Sequence, residues 1–258
     1  MLNKADITVH LANPLPEICL YESTDSTNLR CKAMAEDGAP EGTLVIAEHQ
    51  TAGRGRLGRS FFSPAATGLY MSLLLRPEVP PEEALLITTC AAVCVSEAIE
   101  VLSGRSAGIK WVNDIYLDNR KVCGILTEAA FSQDGSALRY VVLGIGVNVA
   151  PPEGNFPPEL THIAASVFGC PGEDMRPRLA AEIVNRFMTY YPRLTDRAFY
   201  PDYRNRLFLR GKPVQILWGS ETGSGICLDV DRDFRLLVQG DDGTVKAVSS
   251  GEVSVKPV

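Results

Sequence analysis

Residues suited to holding an anion are concentrated in one short stretch, residues 53–59, with the sequence Gly-Arg-Gly-Arg-Leu-Gly-Arg. Glycine at positions 53, 55 and 58 predicts positive φ angles there, which would turn successive backbone N–H groups toward one point. Arg54, Arg56 and Arg59 each add a planar, permanently charged guanidinium suited to phosphate or carboxylate oxygens. The stretch, called the Gly-Arg loop below, therefore predicts a phosphate-binding loop.

The charge around this loop differs from that of the whole chain. The formal net charge of the protein is -6, yet residues 49–77 contain no Asp or Glu. We expect a local region of positive potential on an otherwise negative surface. A protein that coats nucleic acid needs a basic face rather than one basic loop, so the composition argues against DNA binding.

Apolar runs on both sides of the loop predict the strands that position it. Thr43–Glu48 and Leu69–Leu75 are typical of buried strands. The roughly 20 residues between them exceed a simple connection, and loops of this length are usually functional or mobile. The structural alternative is a disordered Arg-Gly linker.

The rest of the chain predicts a mixture of helices and strands, followed by a C-terminal part with short strands only. Helices are expected at residues 26–37 and 80–102, and a helical tract interrupted near Pro192 and Pro201 at residues 176–203. Strands are expected at 17–22 and 140–149, and strands at 109–117 and 121–128 are expected to form a hairpin with a turn at 118–120. From Gly211 onward, short β-type runs separated by Gly, Asp and Ser turns are typical of a small all-β barrel. These runs cover residues 214–218, 225–230, 236–239 and 245–248. We expect a domain boundary near residues 206–210.

Three further motifs accompany the Gly-Arg loop. They are Lys-Trp-Val-Asn-Asp-Ile at 110–115, Lys-Val-Cys-Gly-Ile-Leu-Thr-Glu at 121–128 and Gly-Ile-Gly-Val-Asn-Val at 144–149. Ser-Thr-Asn at 26–28 and Gln50 precede them. In order and spacing, this set closely resembles the motifs of the biotin protein ligase family, strongly over residues 20–150 and by architecture beyond.

The resemblance implies an α+β fold. Residues 1–208 would form a mixed-sheet catalytic domain of the biotin/lipoate ligase type, similar to class II synthetases, and residues 209–258 a small C-terminal SH3-like β-barrel. It also implies that biotin and ATP form biotinyl-5′-AMP, from which a lysine of a biotin carboxyl carrier protein takes the biotin. Because 25 residues precede Ser26, we expect a monofunctional form without the N-terminal DNA-binding domain that many members carry.

Residue roles follow from the resemblance, motif by motif. Lys121 and Arg56 are expected to be catalytic, with Lys121 between the biotin carboxylate and the α-phosphate. The residues expected to bind biotin are Ser26, Thr27, Asn28, Gln50, Arg54, Gly55, Arg56, Lys121 and Gly124. Those expected to bind ATP or the adenylate are Gly53, Arg54, Arg56, Arg59, Phe61, Asn113 and Asn148. Asp114 is the candidate magnesium ligand, although an Asn-Asp turn explains residues 113 and 114 about as well.

Two positions depart from the family pattern. Val112 stands where proline is usual and Phe61 where tryptophan is common, and neither change removes a catalytic atom. A lipoate or octanoyl transferase of the same fold is the related alternative, disfavoured because those enzymes use different loop motifs. A non-catalytic sensor of biotin or biotinyl-AMP is the alternative of another class, and the presence of Lys121 disfavours it.

Composition limits the compartment and the cofactors. Seven cysteines without a C-x-x-C pair indicate free thiols in a reducing compartment, and neither a signal peptide nor a run of about 18 apolar residues is found. We expect a cytoplasmic protein that does not bind a membrane. The three histidines lack metal-ligand spacing, so the expected cofactors are ATP and Mg²⁺ without a tightly bound metal. The expected partners are biotin, ATP and the carrier protein, with homodimerisation left open.

Overall fold

The protein is described by a computed structural model that covers residues 2–169, 173–218, 221–249 and 253–257. The helices are α1 (Lys4–Thr8), α2 (Thr27–Glu36), α3 (Leu85–Ser103), α4 (Arg176–Tyr190) and α5 (Tyr200–Asn205). The strands are β1 (Ile18–Thr24), β2 (Leu44–Gln50), β3 (Gly68–Leu75), β4 (Gly108–Lys110), β5 (Asp114–Leu117), β6 (Arg120–Phe131), β7 (Leu138–Asn148), β8 (Pro213–Trp218), β9 (Glu221–Val230), β10 (Leu236–Gln239), β11 (Val245–Val248) and β12 (Val253–Pro257). Short 3-10 helices lie at Arg56–Gly58, Pro81–Glu83 and Tyr191–Asp196.

The first seven strands form one mixed sheet in the order β1-β2-β3-β7-β6-β5-β4. β1 and β2 are parallel, whereas each other neighbouring pair is antiparallel. All eight residues of β3 are buried, because both faces of this central strand are covered. The expected α+β fold with a mixed sheet is confirmed.

Helices cover both faces of this sheet. α3 and α4 contribute to the large core cluster on one face. On the other face, Cys31 of α2 packs in a smaller cluster with Val45 and Leu74. Directly opposite residues of an antiparallel pair share a face, and Ser72 lies opposite both Val45 and Gly144. The α2 face of the sheet therefore carries small residues that leave room for a cavity.

The predicted hairpin of residues 109–117 and 121–128 is confirmed, because β5 and β6 pair antiparallel. Its first strand, however, is divided into two strands, β4 and β5. β4 and β5 pair antiparallel around a short turn. Contacts with distant residues hold this turn, because the Trp111 indole N–H donates to the Phe234 carbonyl at 2.8 Å. The Asn113 side-chain NH2 donates to the Ile125 carbonyl at 2.6 Å. The single-strand prediction was wrong because the local apolar pattern carries no information about these distant contacts.

α3 is the central core helix. The predicted helix at residues 80–102 begins as the 3-10 helix Pro81–Glu83 and continues as α3, which ends at Gly104 in the left-handed conformation with φ 69°. The segment Pro81–Ser103 is long and apolar enough to cross a membrane by length and composition, with a mean hydropathy of 1.9. However, 72% of its most apolar window is buried inside the protein. Its hydropathy is thus explained by its place in the core.

The C-terminal part forms a second, five-stranded antiparallel sheet in the order β11-β10-β9-β8-β12. The four predicted β-type runs are confirmed, and β12 adds a strand beside β8. Phe234 connects this sheet to the helices, because its ring stacks on Phe199 at a centroid distance of 5.4 Å and meets Tyr203 edge-on at 5.2 Å. The six cysteines within the described ranges are free thiols, as expected. Cys170 lies outside the described residues.

Candidate active site

A cavity of about 150 Å³ opens on the α2 face of the seven-stranded sheet. Its walls come from the start of α2, the end of β2, the Gly-Arg loop, the turn before β5, and the strands β6 and β7. The predicted site residues that line it are Ser26, Thr27, Asn28, Gln50, Arg54, Gly55, Arg56, Arg59, Phe61, Asn113, Asp114, Lys121 and Gly124. The fold therefore gathers four separate sequence motifs around one space.

The Gly-Arg loop folds back on itself beside this cavity. The Phe61 N–H donates to the Gly53 carbonyl at 2.8 Å, and the Gly55 N–H donates to the Arg59 carbonyl at 2.7 Å. Arg54 lies opposite Ser60 in an antiparallel bridge. These bonds give the loop a defined backbone, so it is not the disordered linker considered as the alternative.

The glycines of this loop differ from the prediction. Gly58 has a positive φ of 73°, whereas Gly53 and Gly55 are not in the left-handed region. At Gly53, a Cβ would lie 2.4 Å from the Phe61 carbonyl oxygen and 2.5 Å from the Ser63 hydroxyl. Lack of space therefore selects glycine at position 53. The prediction of positive φ was wrong at positions 53 and 55 because the composition of a loop does not reveal which glycine is crowded.

Gln50 connects the loop to the start of α2. Its side-chain carbonyl accepts hydrogen bonds from the Thr27 backbone N–H at 2.9 Å and the Thr27 hydroxyl at 3.1 Å. Its NH2 group donates to the Ser63 hydroxyl at 2.9 Å. Ser26 occupies the N-cap position without a side-chain capping bond. Gln50 thus satisfies the Thr27 N–H, one of the first-turn donors that have no partner within the helix.

Asn28 has a fixed orientation in the cavity wall. The residue is 5% exposed. The NH2 group donates to the Leu126 carbonyl at 3.2 Å and to the Glu128 carboxylate at 2.9 Å. Its side-chain oxygen accepts from the Ser72 hydroxyl at 2.6 Å. This end of the cavity is consequently lined by neutral amides and hydroxyls whose positions are set by buried partners.

Strand glycines provide the floor of the cavity. A Cβ at Gly144 would lie 2.1 Å from the Asn28 side-chain oxygen, and one at Gly146 would lie 2.7 Å from the Phe61 ring. Two glycines inside a strand predict the close approach of a ligand or of another backbone, whereas in the structure the approaching groups are the side chains of Asn28 and Phe61. A Cβ at Gly124 would lie 3.1 Å from the Lys121 ammonium nitrogen, so this glycine leaves room for that side chain.

The other end of the cavity is cationic. The Lys121 ammonium group is 2.6 Å from the Asp114 carboxylate, in an ion pair whose side chains are 27% and 21% exposed. Arg56 donates to the Asn113 side-chain oxygen at 3.1 Å. Burial lowers the pKa of the Arg56 guanidinium, and the Asp114 carboxylate opposes that shift. An arginine stays protonated over the whole physiological range, so Arg56 and Lys121 together concentrate positive charge here.

Two predicted site residues do not line the cavity. Gly53 is the first residue of the loop, and Phe61 and Ser63 crowd it on the side that a Cβ would occupy. Asn148 donates from its NH2 group to the Ala165 carbonyl at 3.1 Å, and its backbone carbonyl accepts from the Val167 N–H at 2.8 Å. Both residues therefore hold the surrounding chain in place in this structure.

Some lining residues received no role from the sequence. Lys110 and Trp111 stand inside a recognised motif, and Lys110 also lies 5.6 Å from the Tyr116 ring centroid. The others are Leu57, Ser60, Met71, Ile125, Leu126, Gly144, Ile145 and Gly146. The sequence could have identified Lys110 and Trp111 as lining residues, because they belong to the same motif as Asn113. It could have identified Gly144 and Gly146 because glycine is unusual inside a strand.

The cavity offers few oxygen ligands for a metal ion. Across the described ranges, no group of three or more His, Cys, Asp or Glu side chains is arranged to hold one. Asp114 supplies one carboxylate, and Lys121 is already bonded to it. The Asn113 oxygen accepts from Arg56. Such a donor set fits Mg²⁺ only when phosphate oxygens of a nucleotide supply most of its ligands, which is the usual mode of binding.

Comparison with known proteins agrees with this geometry. Residues 20–148 match the Biotin/lipoate A/B protein ligase family. The Bacillus spizizenii bifunctional ligase/repressor BirA is 34% identical over 245 residues, covering 89% of this chain and 71% of that protein. The chain belongs to the biotin/lipoate A/B protein ligase family. Residues 210–256 of this family member also match the biotin protein ligase C-terminal domain.

Further comparisons relate the chain to biotin ligases in particular. A biotin–acetyl-CoA-carboxylase ligase of Mycobacterium tuberculosis is 32% identical, covering 92% of this chain and 88% of that protein. Among solved structures, the Aquifex aeolicus biotin protein ligase in complex with biotin and ATP superimposes with a TM-score of 0.76 at 26% identity, over 95% of this chain and 100% of that one. Both comparisons favour the biotin branch of the family, as the sequence motifs predict.

Proposed function

We propose that this cavity activates biotin with ATP and transfers it to a protein lysine. In the first step, a biotin carboxylate oxygen attacks the α-phosphorus of ATP, and pyrophosphate leaves as biotinyl-5′-AMP forms. In the second, the lysine amine of a biotin carboxyl carrier protein attacks the mixed-anhydride carbonyl, and AMP leaves. The observation that carries the proposal is that one cavity has both a neutral hydrogen-bonding end at Asn28 and a cationic end at Lys121.

The neutral end suits the ureido ring of biotin. Such a ring presents one carbonyl and two N–H groups, which neutral amides and hydroxyls complement better than charges do. We assign this end to Ser26, Thr27, Asn28 and Gln50. Because Asn28 and Gln50 already have fixed partners, their orientation is set before biotin enters, which lowers the entropic cost of binding.

The cationic end suits the reacting anions. ATP carries nearly four negative charges and the attacking carboxylate adds another, so their approach requires preorganised positive charge. We place Lys121 between the carboxylate and the α-phosphate, and assign Arg54, Gly55 and Arg56 to closing over biotin and the phosphates. The Asp114 carboxylate, 2.6 Å from the Lys121 ammonium, fixes the position of that ammonium at the cavity wall.

The nucleotide occupies the region around Phe61 and Asn113 in this proposal. The ring of Phe61 lies on the sheet over Gly146 and within the cavity wall, where an aromatic face can stack on adenine. We assign Arg59 and Gly53 to the loop that covers the phosphates. We also assign Asn148 to the nucleotide, a contact that would require its side chain to break its hydrogen bond to the Ala165 carbonyl. Asp114 would be the protein ligand of a magnesium ion, which would help to neutralise the charge of the ATP phosphates.

The wider assignments are part of the same proposal. We place the boundary between a catalytic domain, residues 1–208, and an SH3-like domain, residues 209–258, which helps to bind ATP and the acceptor. The free thiols within the described ranges fit a reducing, cytoplasmic compartment. The acidic net charge of -6 gives no support for DNA binding, so the proposal covers ligase activity alone.

Biotin-dependent exchange of radiolabelled pyrophosphate into ATP tests the activation step. We expect exchange when biotin, ATP and Mg²⁺ are all present, and none when biotin is left out. Lipoate and octanoate serve as matched control acids, since enzymes of the related branch would use them. Exchange driven by lipoate but not by biotin would overturn the proposal.

A further inference from the structure

The short turn between β4 and β5, residues 111–113, is held from the C-terminal half of the chain. We call it the β4–β5 turn. The Trp111 indole N–H donates to the Phe234 carbonyl at 2.8 Å, and the Tyr203 hydroxyl donates to the Val112 carbonyl at 3.2 Å. Both hydrogen bonds are buried, and their partners lie 123 and 91 positions apart in the chain. Two successive residues of the turn therefore take their positions from distant parts of the protein.

Tyr203 and Phe234 form one support beneath this turn. Both residues are fully buried, and their rings meet edge-on at a centroid distance of 5.2 Å. Phe234 has a φ of 56°, in the left-handed region, which is uncommon for a bulky residue and persists only where the surroundings fix it. Ring contacts with Phe199 and Tyr200 supply such surroundings. The groups that hold the turn consequently have fixed directions.

Asn113 is the residue through which this support reaches the nucleotide end of the cavity. Its backbone carbonyl accepts from the Ile125 N–H at 3.0 Å, and its side-chain NH2 donates to the Ile125 carbonyl at 2.6 Å. The next residue, Asp114, already belongs to β5 and pairs with Lys110 and Gly124 on its two sides. The sheet therefore fixes Asp114, whereas the position of Asn113 also depends on the turn that precedes it.

We propose that Tyr203 is a positioning residue, whose hydroxyl holds the β4–β5 turn and with it Asn113 in the place that nucleotide binding requires. Tyr203 does not line the cavity, so it acts through the turn and not by touching a ligand. Burial raises the pKa of its phenol above the ordinary value, so the hydroxyl keeps the proton that it donates. The effect on the nucleotide rests on the proposed function, whereas the effect on the turn does not.

Amide hydrogen exchange in the empty protein, followed by NMR at Ile125, tests the effect on the turn. Tyr203→Phe removes the hydroxyl but keeps the ring against Phe234. The Ile125 N–H, which donates to Asn113, should exchange about fivefold faster in this variant, as for the loss of one hydrogen bond. Exchange equal to that of the parent protein would overturn the proposal.

Tyr200→Phe is the matched control for this experiment. Tyr200 lies on the same helix, α5, its ring also meets Phe234 edge-on, and its hydroxyl donates to the Val230 carbonyl at 2.9 Å. The control variant loses a hydrogen bond of the same kind, but one that leads to the C-terminal sheet. We expect exchange at Ile125 to match that of the parent protein. Faster exchange in both variants would show a general loss of stability and would overturn the proposal.

Steady-state kinetics of biotin-dependent pyrophosphate exchange test the effect on the nucleotide. For Tyr203→Phe, we expect the KM for ATP to rise about fivefold. The KM for biotin and kcat should stay within about twofold, because α2 and β2 carry the biotin end and the sheet holds Asp114. An unchanged KM for ATP, or an equal rise in both KM values, would contradict the proposal. Because amide exchange is measured without substrate, it decides the role of Tyr203 in the turn even if biotin activation fails.

Discussion

Replacing Gly144 with alanine should displace Asn28 and weaken both the fold and biotin binding. The new Cβ would lie 2.1 Å from the Asn28 side-chain oxygen and 2.9 Å from its nitrogen, well inside contact distance. Gly144 has no room to retreat, because it lies in the middle of β7 and pairs with Ser72 on one side and Leu126 on the other. The Asn28 side chain must therefore leave its position.

The magnitude follows from the bonds that Asn28 would lose. It makes three side-chain hydrogen bonds, to Leu126, Glu128 and Ser72. At about 1 kcal/mol net for each bond, the free energy of unfolding should fall by about 3 kcal/mol. If Asn28 also binds the ureido ring, biotin affinity should fall at least about tenfold, since this corresponds to 1.4 kcal/mol.

Urea unfolding and isothermal titration calorimetry with biotin measure the two effects. Gly223→Ala is the matched control, because Gly223 is also a strand glycine but a Cβ there would meet nothing within 4 Å. We expect the control to unfold and to bind biotin like the parent protein. If Gly144→Ala behaves like the control in both assays, the role assigned to Asn28 is refuted.

Three further predictions follow from other contacts. Lys121→Ala should abolish biotin-dependent pyrophosphate exchange. It should lower the free energy of unfolding by less than about 1 kcal/mol, because the ion pair of Lys121 is partly exposed. Normal exchange would show that the reaction does not need Lys121. Arg176→Met should lower the free energy of unfolding by about 3–5 kcal/mol, because it removes the cation that lies 2.5 Å from the buried Glu48 carboxylate and leaves that carboxylate only the Leu2 N–H among the bonds described. An unchanged urea midpoint would contradict this. Burial and the Glu17 carboxylate raise the pKa of Cys19 to about 11. Its thiolate therefore forms at a higher pH in the folded protein than in the unfolded chain. Iodoacetamide labelling of Cys19, read by peptide mass spectrometry, should be slow at pH 8 and increase toward pH 11; fast labelling at pH 8 would show an ordinary thiol.

The motifs predicted the location of the cavity well. Ser26, Gln50, Arg56 and Lys121 are far apart in sequence, yet all of them line one space. The sheet explains this success, because each motif ends or begins a strand whose place is determined by its apolar pattern. Asn148 shows the limit of this reasoning, since it belongs to a recognised motif but its side chain bonds to Ala165 outside the cavity wall.

Long-range contacts account for the parts that the sequence did not predict. The turn after β4 depends on Phe234, more than 100 residues away, which accepts the Trp111 indole hydrogen bond. No local pattern indicates that contact. The loop glycines illustrate the same point, because the crowding at Gly53 comes from Phe61 and Ser63 after the chain has folded back. Glu128 was visible as the last residue of a motif, but its bonds to Arg54 and Asn28 appear only in the folded protein.

The most direct test of the central claim is biotin transfer to an acceptor. Purified protein is incubated with ATP, Mg²⁺, biotin and an apo carboxyl-carrier domain, and the intact mass of the acceptor is measured. We predict a mass increase of one biotinyl group that requires ATP and is lost when the target lysine is replaced by arginine. An acceptor of unchanged mass, under conditions in which a known biotin protein ligase labels it fully, would contradict the account.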